Sequence, residues 1–532
     1  MEKKKTFIII VVALLVFSIG ITFAYFIAKI GPGSSANVNV TTGTVDDLKF
    51  NVSKENISLN INQFNFASGS GNITDTVTAT ASLKANSTKN TATYNYYVYF
   101  QIESNNYMYT TTDKKPEIVL SITGPNGEIT SVDGLKYVSA TNADGTVVKG
   151  FDITEQKTSV IKVADSFEIS STSSTNYTNQ DWVFKVSFIN LDTNQVENEG
   201  KKLTGKALIQ QEKIITSISD VAKNGDNLVT AIQNLSTKSK PSYTGLYHHD
   251  ASLTNGAGDN SYRFAGANPN NYVCFGSDEA TCPTENLYRI IGLIDGKVKL
   301  IHAYGATTTM LGTNEGYVNT YQAAWSGNTS YYKGNGDLTK IGTYKWNKTR
   351  NNTWSTSTTN TINLNTNFLT YLDSKNTKWK NMIADATWYV GGMTKANGYK
   401  SNAKTVYTYE VGANKDATTV NAKIGLMYVS EYYYGATPDY WMLQGFRYDN
   451  ATNDNWLYTG LYEWTISRDS DASDGAFAVR VGGGLSVDPV DYSDGAAVRP
   501  SFSLSPSIKF TSGEGTAANP IRINMWLGNM QV

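Results

Sequence analysis

An uncharged apolar run near the start of the chain, residues 7–28, constrains the fold more than any other feature. It reads FIIIVVALLVFSIGITFAYFIA, contains no proline and follows the lysines Lys3, Lys4 and Lys5. A helix of about 20 apolar residues spans the hydrocarbon core of a bilayer. The lysines favour a cytoplasmic N-terminus, which sends the rest of the chain outside. We therefore predict a transmembrane helix within residues 1–30.

Two interpretations of this run stay open, a retained anchor and a cleaved signal. The run is longer than the about 7–15 apolar residues of a signal peptide, which favours an anchor. Thr22 and Ala24, however, place small residues at the positions that a signal peptidase reads. The chain is thus either a single-pass protein of the cell membrane, with its bulk outside, or a protein secreted after cleavage behind Ala24.

Composition favours an extracellular β-protein and excludes one class of partner. The formal net charge is −1 and 17% of residues are charged, below the roughly 25% of typical domains. Without a basic stretch, no nucleic-acid partner is expected. Tyrosine is abundant, with 34 residues, and proline is scarce, with 11. This composition is typical of strand-rich structure.

Residues 37–210 carry one strand signal after another and no clear helical period. Apolar and polar side chains alternate in short stretches that Gly, Pro, Asn and Asp turns separate. The stretches are residues 38–40, 48–52, 57–61, 76–83, 91–102, 117–122, 184–189 and 203–210. We predict an all-β sandwich of jelly-roll or immunoglobulin-like type, with roughly seven to nine antiparallel strands.

The start of this region resembles the TasA/camelysin family of bacterial surface and biofilm-matrix proteins. The resemblance rests on Ala24-Tyr25-Phe26 behind the apolar run and on Asn39-Val40-Thr41-Thr42-Gly43-Thr44-Val45-Asp46-Asp47-Leu48. It implies a signal removed by a dedicated peptidase and an N-terminal strand that completes the sheet of a neighbouring copy, giving a homopolymer. The apolar run is longer and more hydrophobic than the cleavable signals of that family.

Residues 211–242 are a predicted helical connector and linker. Apolar residues recur at helical spacing on both sides of Lys223-Asn224-Gly225-Asp226, which indicates two short helices. Asp226 is the predicted N-cap of the second helix. We expect these helices to pack against a flanking domain.

Residues 243–532 are predicted to form a loop-rich α+β domain. Nine of the ten tryptophans lie here. Helical spacing occurs in residues 361–372 and 378–383. Predicted strands are residues 287–294, 297–302, 387–389 and 422–429, and a last group lies near residues 455–467, 477–481, 497–504 and 521–523.

The two cysteines, Cys274 and Cys282, lie close together in this domain. In an oxidising compartment a disulfide is expected, and closing so short a loop stabilises by about 2–3 kcal/mol in the loop-entropy treatment. The alternative is a redox or metal-binding pair, which lacks Cys-x-x-Cys spacing and a neighbouring histidine.

The run Cys274-Phe275-Gly276-Ser277-Asp278, with residues 286–292 and the ending Val498-Arg499-Pro500, resembles surface domains of gut Firmicutes. Late motifs of this domain resemble the formylglycine-generating-enzyme-like fold of C-type-lectin type. They are Tyr462-Glu463-Trp464-Thr465-Ile466-Ser467, Val479-Arg480-Val481-Gly482-Gly483-Gly484 and Val498-Arg499-Pro500-Ser501-Phe502-Ser503-Leu504. Oxidising members of that family ligate copper with two cysteines late in the domain. Here both cysteines come early, so the activity is not carried over, and a degenerate enzyme stays the third hypothesis.

Clustered aspartates near glycine suggest a calcium site, the one cofactor considered. They are Asp469, Asp471, Asp474, Asp488, Asp491 and Asp494. Ca²⁺ takes several oxygen ligands from such turns, but the spacing fails the EF-hand rule because position 12 after Asp469 is Arg480. Solvated carboxylates in turns are the alternative. No hydrolase, P-loop, zinc-protease or dinucleotide motif occurs, so no catalytic constellation is predicted.

Eleven aromatic residues fall within residues 432–464, mixed with Asn, Asp, Gly and Arg. Rigid aromatics beside adaptable polar groups are typical of binding surfaces. We predict a surface that recognises a glycan or a protein, while Trp441, Tyr462 and Trp464 are assigned to the core. The predicted recognition residues are Tyr433, Tyr434, Arg447, Tyr448 and Trp456.

Two functions follow as leading hypotheses. The first is an anchored bacterial adhesion protein, in which a sandwich stalk carries a domain that binds a host or bacterial surface glycan or protein. The second is a matrix fibre subunit, released by cleavage after Ala24 and assembled by strand addition.

Overall fold

The structure, a computed structural model, describes residues 46–62, 65, 71–88, 91–157 and 159–525. The predicted membrane segment, the cleavage position after Ala24 and the strand predicted at residues 38–40 lie outside the described residues. Within the described part of the chain, no helix is long and apolar enough to cross a membrane. The chain divides into two compact units, one ending at Ile214 and the next starting at Ile215. Strands make up most of the regular structure of unit 1, as predicted, whereas unit 2 combines strands with short helices.

The part of unit 1 that the structure describes consists of strands connected by turns and loops, with one short 3-10 helix, Val196–Asn198. Its strands are β1 (Asp47–Val52), β2 (Ile57–Asn60), β3 (Ile73–Lys84), β4 (Ala92–Asn105), β5 (Ile118–Gly124), β6 (Gly127–Glu128), β7 (Tyr137–Thr141), β8 (Val147–Asp152), β9 (Ser159–Ser171), β10 (Thr178–Phe188) and β11 (Lys202–Gln210). A seven-stranded sheet has the order β1-β3-β10-β5-β8-β7, with β6 beside β5. A four-stranded sheet has the order β2-β11-β4-β9.

The two sheets of unit 1 pack face to face around one core. Along β3, Val77, Ala79 and Ala81 are buried while the threonines between them are more exposed, which is the alternation that a half-buried strand requires. Phe100 of β4 stacks on Phe184 of β10, in the other sheet, with ring centroids 5.5 Å apart.

A polar contact adds to this apolar packing between the sheets. The indole N–H of Trp182 on β10 donates to the hydroxyl of Tyr96 on β4 at 2.9 Å. The Tyr96 hydroxyl in turn donates to Gln180 at 2.8 Å. Both buried polar groups are thereby satisfied, as a core of this kind demands.

The described part of unit 1 holds eleven strands, more than the seven to nine predicted. Strands β6, β7, β8 and β9 do not correspond to any predicted stretch. Strand β9 is hidden in the sequence because its pairing with β4 shifts register near Tyr96 and Val98 and Ser166 has a positive φ of 56°. Such irregularities break the period-2 pattern.

Unit 2 contains two larger sheets and two hairpins. Its strands are β12 (Leu246–His249), β13 (Ser261–Phe264), β14 (Tyr272–Cys274), β15 (Leu287–Ile294), β16 (Lys297–His302), β17 (Tyr317–Thr320), β18 (Gly342–Tyr344), β19 (Ala386–Tyr389), β20 (Thr419–Ala422), β21 (Ile424–Gly425), β22 (Glu463–Arg468), β23 (Gly475–Val479), β24 (Leu485–Pro489), β25 (Ala496–Ala497), β26 (Ser501–Ser503), β27 (Ile508–Ser512) and β28 (Arg522–Met525). The sheet orders are β12-β13-β15-β16-β26-β21, with β14 beside β15, and β17-β18-β25-β22-β23-β24. The hairpins are β19-β20 and β27-β28.

Short helices lie between these strands. The α-helices are Leu228–Lys238, Pro241–Thr244, Thr308–Leu311, Tyr321–Ala324, Leu369–Lys375, Thr377–Asn381, Lys395–Lys400, Ala403–Glu410 and Val429–Tyr434. Thr359–Phe368 is a π-helix, and the 3-10 helices are Ile218–Asp220, Thr284–Asn286, Ser326–Tyr331, Trp354–Thr356, Pro438–Tyr440 and Gly445–Ala451.

The segment predicted as a connector contributes to the core of unit 2. Leu228, Ile232 and Leu235 of helix Leu228–Lys238 are at most 1% exposed. The predicted N-cap is off by one residue, because Asn227, and not Asp226, accepts from the N–H groups of Val229 and Thr230. The helix packs against β12, β13 and β16.

Candidate binding surface

Of the predicted recognition residues, Tyr433 and Tyr434 end helix Val429–Tyr434, and Arg447, Tyr448 and Trp456 follow it in the chain. The structure buries four of the five: Tyr433 is 0% exposed, Tyr434 1%, Tyr448 0% and Trp456 4%. Only Arg447 is exposed. The predicted surface position is therefore wrong for the four aromatic side chains, which belong to the core.

Ring contacts explain why these side chains are buried. Tyr433 stacks on Tyr448 with centroids 3.8 Å apart and planes 6° from parallel. Tyr434 packs edge-on against His249 and Trp441, at 4.8 and 5.1 Å. Unit 2 thus builds its core from aromatic rings, whose large area and edge-to-face contacts stabilise it.

Hydrogen bonds hold the same rings in one orientation. The indole N–H of Trp456 donates to the Phe264 carbonyl at 2.8 Å, and that of Trp441 donates to the Ala436 carbonyl at 2.8 Å. Burial raises the pKa of Tyr433 well above its ordinary value. The hydroxyl is therefore a neutral donor, and it donates to the Gly398 carbonyl at 3.3 Å.

A buried ion pair ties helix Val429–Tyr434 to the sheet. Lys299 of β16 donates to Glu431 at 2.6 Å, and the two side chains are 7% and 4% exposed. Burial lowers the pKa of Lys299, although Glu431 opposes that shift. Glu410 accepts from the N–H groups of Val429 and Ser430 at the start of the same helix. The sequence signal for Lys299 is a charged residue flanked by apolar residues inside a strand.

Next to these buried rings, the segment of residues 442–446 exposes side chains other than the predicted ones. Met442 is 55% exposed and Phe446 is 47% exposed. The Phe446 ring lies 4.3 Å from the ring of Tyr399. The Met442 sulfur accepts a hydrogen bond from the side-chain amide of Asn402 at 3.6 Å. Sequence reasoning missed Met442 because it searched for tyrosine and tryptophan.

Two arginines lie beside these apolar side chains. Arg447 follows Phe446 directly. Arg480 lies close enough to Tyr399 to act on its hydroxyl electrostatically, as do the carboxylates of Asp488 and Asp469. Both arginines are exposed, and neither forms an ion pair with a carboxylate among the described residues. We call Tyr399, Met442, Phe446, Arg447 and Arg480 the loop patch.

The six predicted calcium ligands are spread over several unrelated contacts. Asp469 is 4% exposed and accepts from the N–H groups of Lys395 and Asp471 at 3.0 and 3.1 Å. Asp474 and Asp491 both approach Arg350, at 2.8 and 3.9 Å.

The remaining aspartates face tyrosine hydroxyls or solvent. Asp488 accepts a hydrogen bond from Tyr462. Burial, with help from Asp494 and Asp488, raises the pKa of Tyr492, while Asp471 is exposed. Across the described residues, no three His, Cys, Asp or Glu side chains are grouped closely enough to hold a metal ion.

The predicted disulfide is confirmed. Cys274 and Cys282 are bonded, with Cα atoms 5.8 Å apart. Cys274 is 1% exposed at the end of β14. With both sulfurs in the bond, neither is available as a thiolate ligand.

Comparisons with protein-family models, with curated proteins and with solved structures each found no match. The two family resemblances noted in the sequence therefore stay predictions.

Proposed function

We propose that this chain is a bacterial cell-surface binding protein, tethered by residues 7–28, with unit 2 as its recognition unit. Its partner is a protein that docks on the loop patch. Binding, rather than catalysis, is the proposed activity. Within this proposal, unit 1 is a jelly-roll or immunoglobulin-like sandwich and unit 2 is of C-type-lectin type, assignments that rest on the sequence resemblances.

One observation carries the proposal: two large apolar side chains, Met442 and Phe446, are half exposed on a rigid aromatic base. Met, Phe, Tyr and Arg are enriched in protein interfaces, and a few such residues supply most of the binding energy. Because the buried rings beneath fix the loop, little conformational entropy is lost when a partner binds.

The charged residues of the loop patch indicate what kind of protein surface it binds. Arg447 and Arg480 place two positive charges beside the apolar side chains. A complementary surface carries carboxylates around an apolar centre, which speeds association and makes it sensitive to salt. The proposed partner is therefore an acidic protein surface with exposed apolar residues.

The test is adhesion of whole cells that express the full chain to immobilised fibronectin, fibrinogen, collagen and laminin. Replacing Met442 and Phe446 together by serine should lower adhesion by about tenfold or more, as loss of a hot spot does. Tyr331→Ser, at a side chain 47% exposed in the same unit, is the matched control and should change nothing. Adhesion that survives the double substitution, or no adhesion to any of these proteins, contradicts the proposal.

A matrix fibre subunit is the second candidate, supported by the sheet edges of unit 1. Among the described residues, β1 pairs only with β3, and β9 pairs only with β4. An edge strand is a template for strand addition, and β1 directly follows the residues that would be donated. N-terminal sequencing of the surface form separates the two functions, because a start at Tyr25 supports the fibre and an intact Met1 supports the anchor.

A further inference from the structure

A polar cleft of about 410 Å³ lies beside the disulfide of unit 2. Three elements line it: the loop that the disulfide closes, helix Thr377–Asn381 and the hairpin β27-β28. The cleft shares no residue with the loop patch, and its size falls within the about 300–1,000 Å³ of small-molecule sites.

The disulfide loop is fixed over this cleft at three points. The bond between Cys274 and Cys282 closes its base. Arg522 of β28 donates to the carbonyl of Ala280 at 2.8 Å, and an ion pair joins Asp278 to Lys378 of the helix. A wall held in this way is organised before a ligand arrives, which lowers the entropic cost of binding.

The lining offers hydrogen-bond donors and acceptors in similar measure. Ser277 already accepts from the N–H of Glu279 at 3.2 Å, so its hydroxyl proton is free to be donated. Asn524 accepts through its side-chain oxygen from Met525 at 2.9 Å, which leaves its NH₂ group as a donor. Thr511 and Ser512 add hydroxyls, and Glu279 adds a carboxylate acceptor.

The balance of charge argues against an ionic ligand. Two cations, Lys378 and Arg522, face two anions, Asp278 and Glu279, so the lining is close to neutral. An apolar ligand would leave these groups without partners, which is costly. The ring face of Trp379 is not open for stacking on an apolar ligand, because the Lys378 ammonium group lies over it, 4.6 Å from the ring centroid.

We propose that this cleft binds a neutral sugar residue of a glycan. Sugar hydroxyls both donate and accept, so they can satisfy Ser277, Asn524, Arg522 and Glu279 together. A site built to bond ligand hydroxyls also rejects analogues that lack them. This is a second recognition site, independent of the loop patch.

The test is saturation-transfer NMR on the full chain with the methyl glycosides of glucose, galactose, mannose and N-acetylglucosamine. At least one should receive saturation, and Arg522→Gln should weaken its binding about tenfold, the loss expected for a hydrogen bond from a charged donor. Arg350→Gln, at an exposed arginine outside the cleft, should leave the affinity unchanged. Should Arg522→Gln fail to fold, Asn524→Ala at an exposed side chain is measured in its place and should also weaken binding.

A second experiment removes the disulfide. Replacing Cys274 and Cys282 together by serine should weaken sugar binding several-fold while cell adhesion through the loop patch persists. No saturation of any of the four glycosides, or equal affinity in the cleft variant and the Arg350 control, overturns the proposal. Because the adhesion assay reads the loop patch separately, failure here leaves the proposed function standing.

Discussion

Arg499 and Glu463 form a buried ion pair in unit 2, and replacing only one of the two residues should destabilise the folded state strongly. Arg499 donates to both carboxylate oxygens of Glu463, at 2.5 and 2.6 Å, and also to the Leu457 carbonyl at 2.7 Å. The two side chains are 3% and 1% exposed. Arg499→Met leaves a buried charge without a partner, so we expect unfolding free energy at pH 7 to fall by about 3–5 kcal/mol.

Urea unfolding followed by tryptophan fluorescence measures this loss, since nine of the ten tryptophans lie from residue 243 onward. The control is Arg350→Met, because Arg350 is 65% exposed in its pair with Asp474 and such pairs contribute about 1 kcal/mol or less. Adding Glu463→Leu to Arg499→Met should recover part of the loss. Equal effects for Arg499→Met and Arg350→Met would show that burial does not decide the cost.

His249 makes unit 2 sensitive to acid. The ring is 0% exposed, and its Nδ1 accepts from the N–H of Ala257 at 3.1 Å. Burial, with a smaller effect of Arg263, lowers its pKa from 6.5 to about 3. Below pH 6.5 the unfolded chain therefore binds a proton that the folded chain does not, and stability falls by about 1.4 kcal/mol per pH unit.

The prediction compares the native chain with His249→Phe between pH 7.5 and 4.5. The native chain should lose about 2–3 kcal/mol more than the variant over this range, by urea unfolding. Glu410 and Glu463, whose pKa values burial raises, act in the opposite direction in both proteins and cancel in the difference. Parallel pH profiles would assign the acid sensitivity to other groups.

At the scale of secondary-structure elements, the N-cap residue Asn227 stabilises helix Leu228–Lys238. Asn227 accepts from the N–H groups of Val229 and Thr230, at 2.9 and 3.2 Å, and donates to the Pro506 carbonyl at 2.7 Å. Asn227→Ala should destabilise by about 1–2 kcal/mol, whereas Asn227→Asp keeps the acceptor and should cost less. Thermal unfolding of the variants measures both losses of stability. A larger loss of stability in Asp226→Ala would show that Asp226, the residue predicted from the sequence, is the N-cap.

Elements were predictable where local chemistry and packing agree. Strands β15 and β16 have the predicted bounds because two apolar runs flank Asp295-Gly296, and both turn residues adopt the positive φ, 49° and 69°, that a tight hairpin needs. An Asp-Gly turn is a strong hairpin signal. The disulfide was predictable for a similar reason, since only a local pairing was available.

Helix Val429–Tyr434 shows where sequence reasoning failed. The sequence predicted a strand at residues 422–429, which includes the first residue of this helix, and predicted no helix after it. The helix forms because Glu410 satisfies its first N–H groups and Lys299 pairs with Glu431, contacts made by residues far away in the chain. The same long-range packing buries Tyr433 and Tyr448, so a list of aromatic residues could not separate core from surface.

At the scale of the whole molecule, the structure and the sequence place the start of the second unit differently, at residue 215 and at residue 243. The two fragments, residues 215–532 and 243–532, test this difference. The shorter one lacks Leu228, Ile232 and Leu235, which are at most 1% exposed and pack against β12, β13 and β16. Burying three such side chains contributes roughly 5–9 kcal/mol, comparable to the net stability of about 5–15 kcal/mol of a typical domain.

We therefore expect residues 215–532 to unfold cooperatively in urea and, before unfolding, to show the fluorescence of tryptophans buried away from water. Residues 243–532 should be unfolded or aggregated at 25 °C. The control is residues 215–532 with Leu228, Ile232 and Leu235 all replaced by serine, which keeps the chain length and should behave like the shorter fragment. If the shorter fragment unfolds at the same urea concentration as the longer one, helix Leu228–Lys238 is a linker after all, and the core of unit 2 is complete without it.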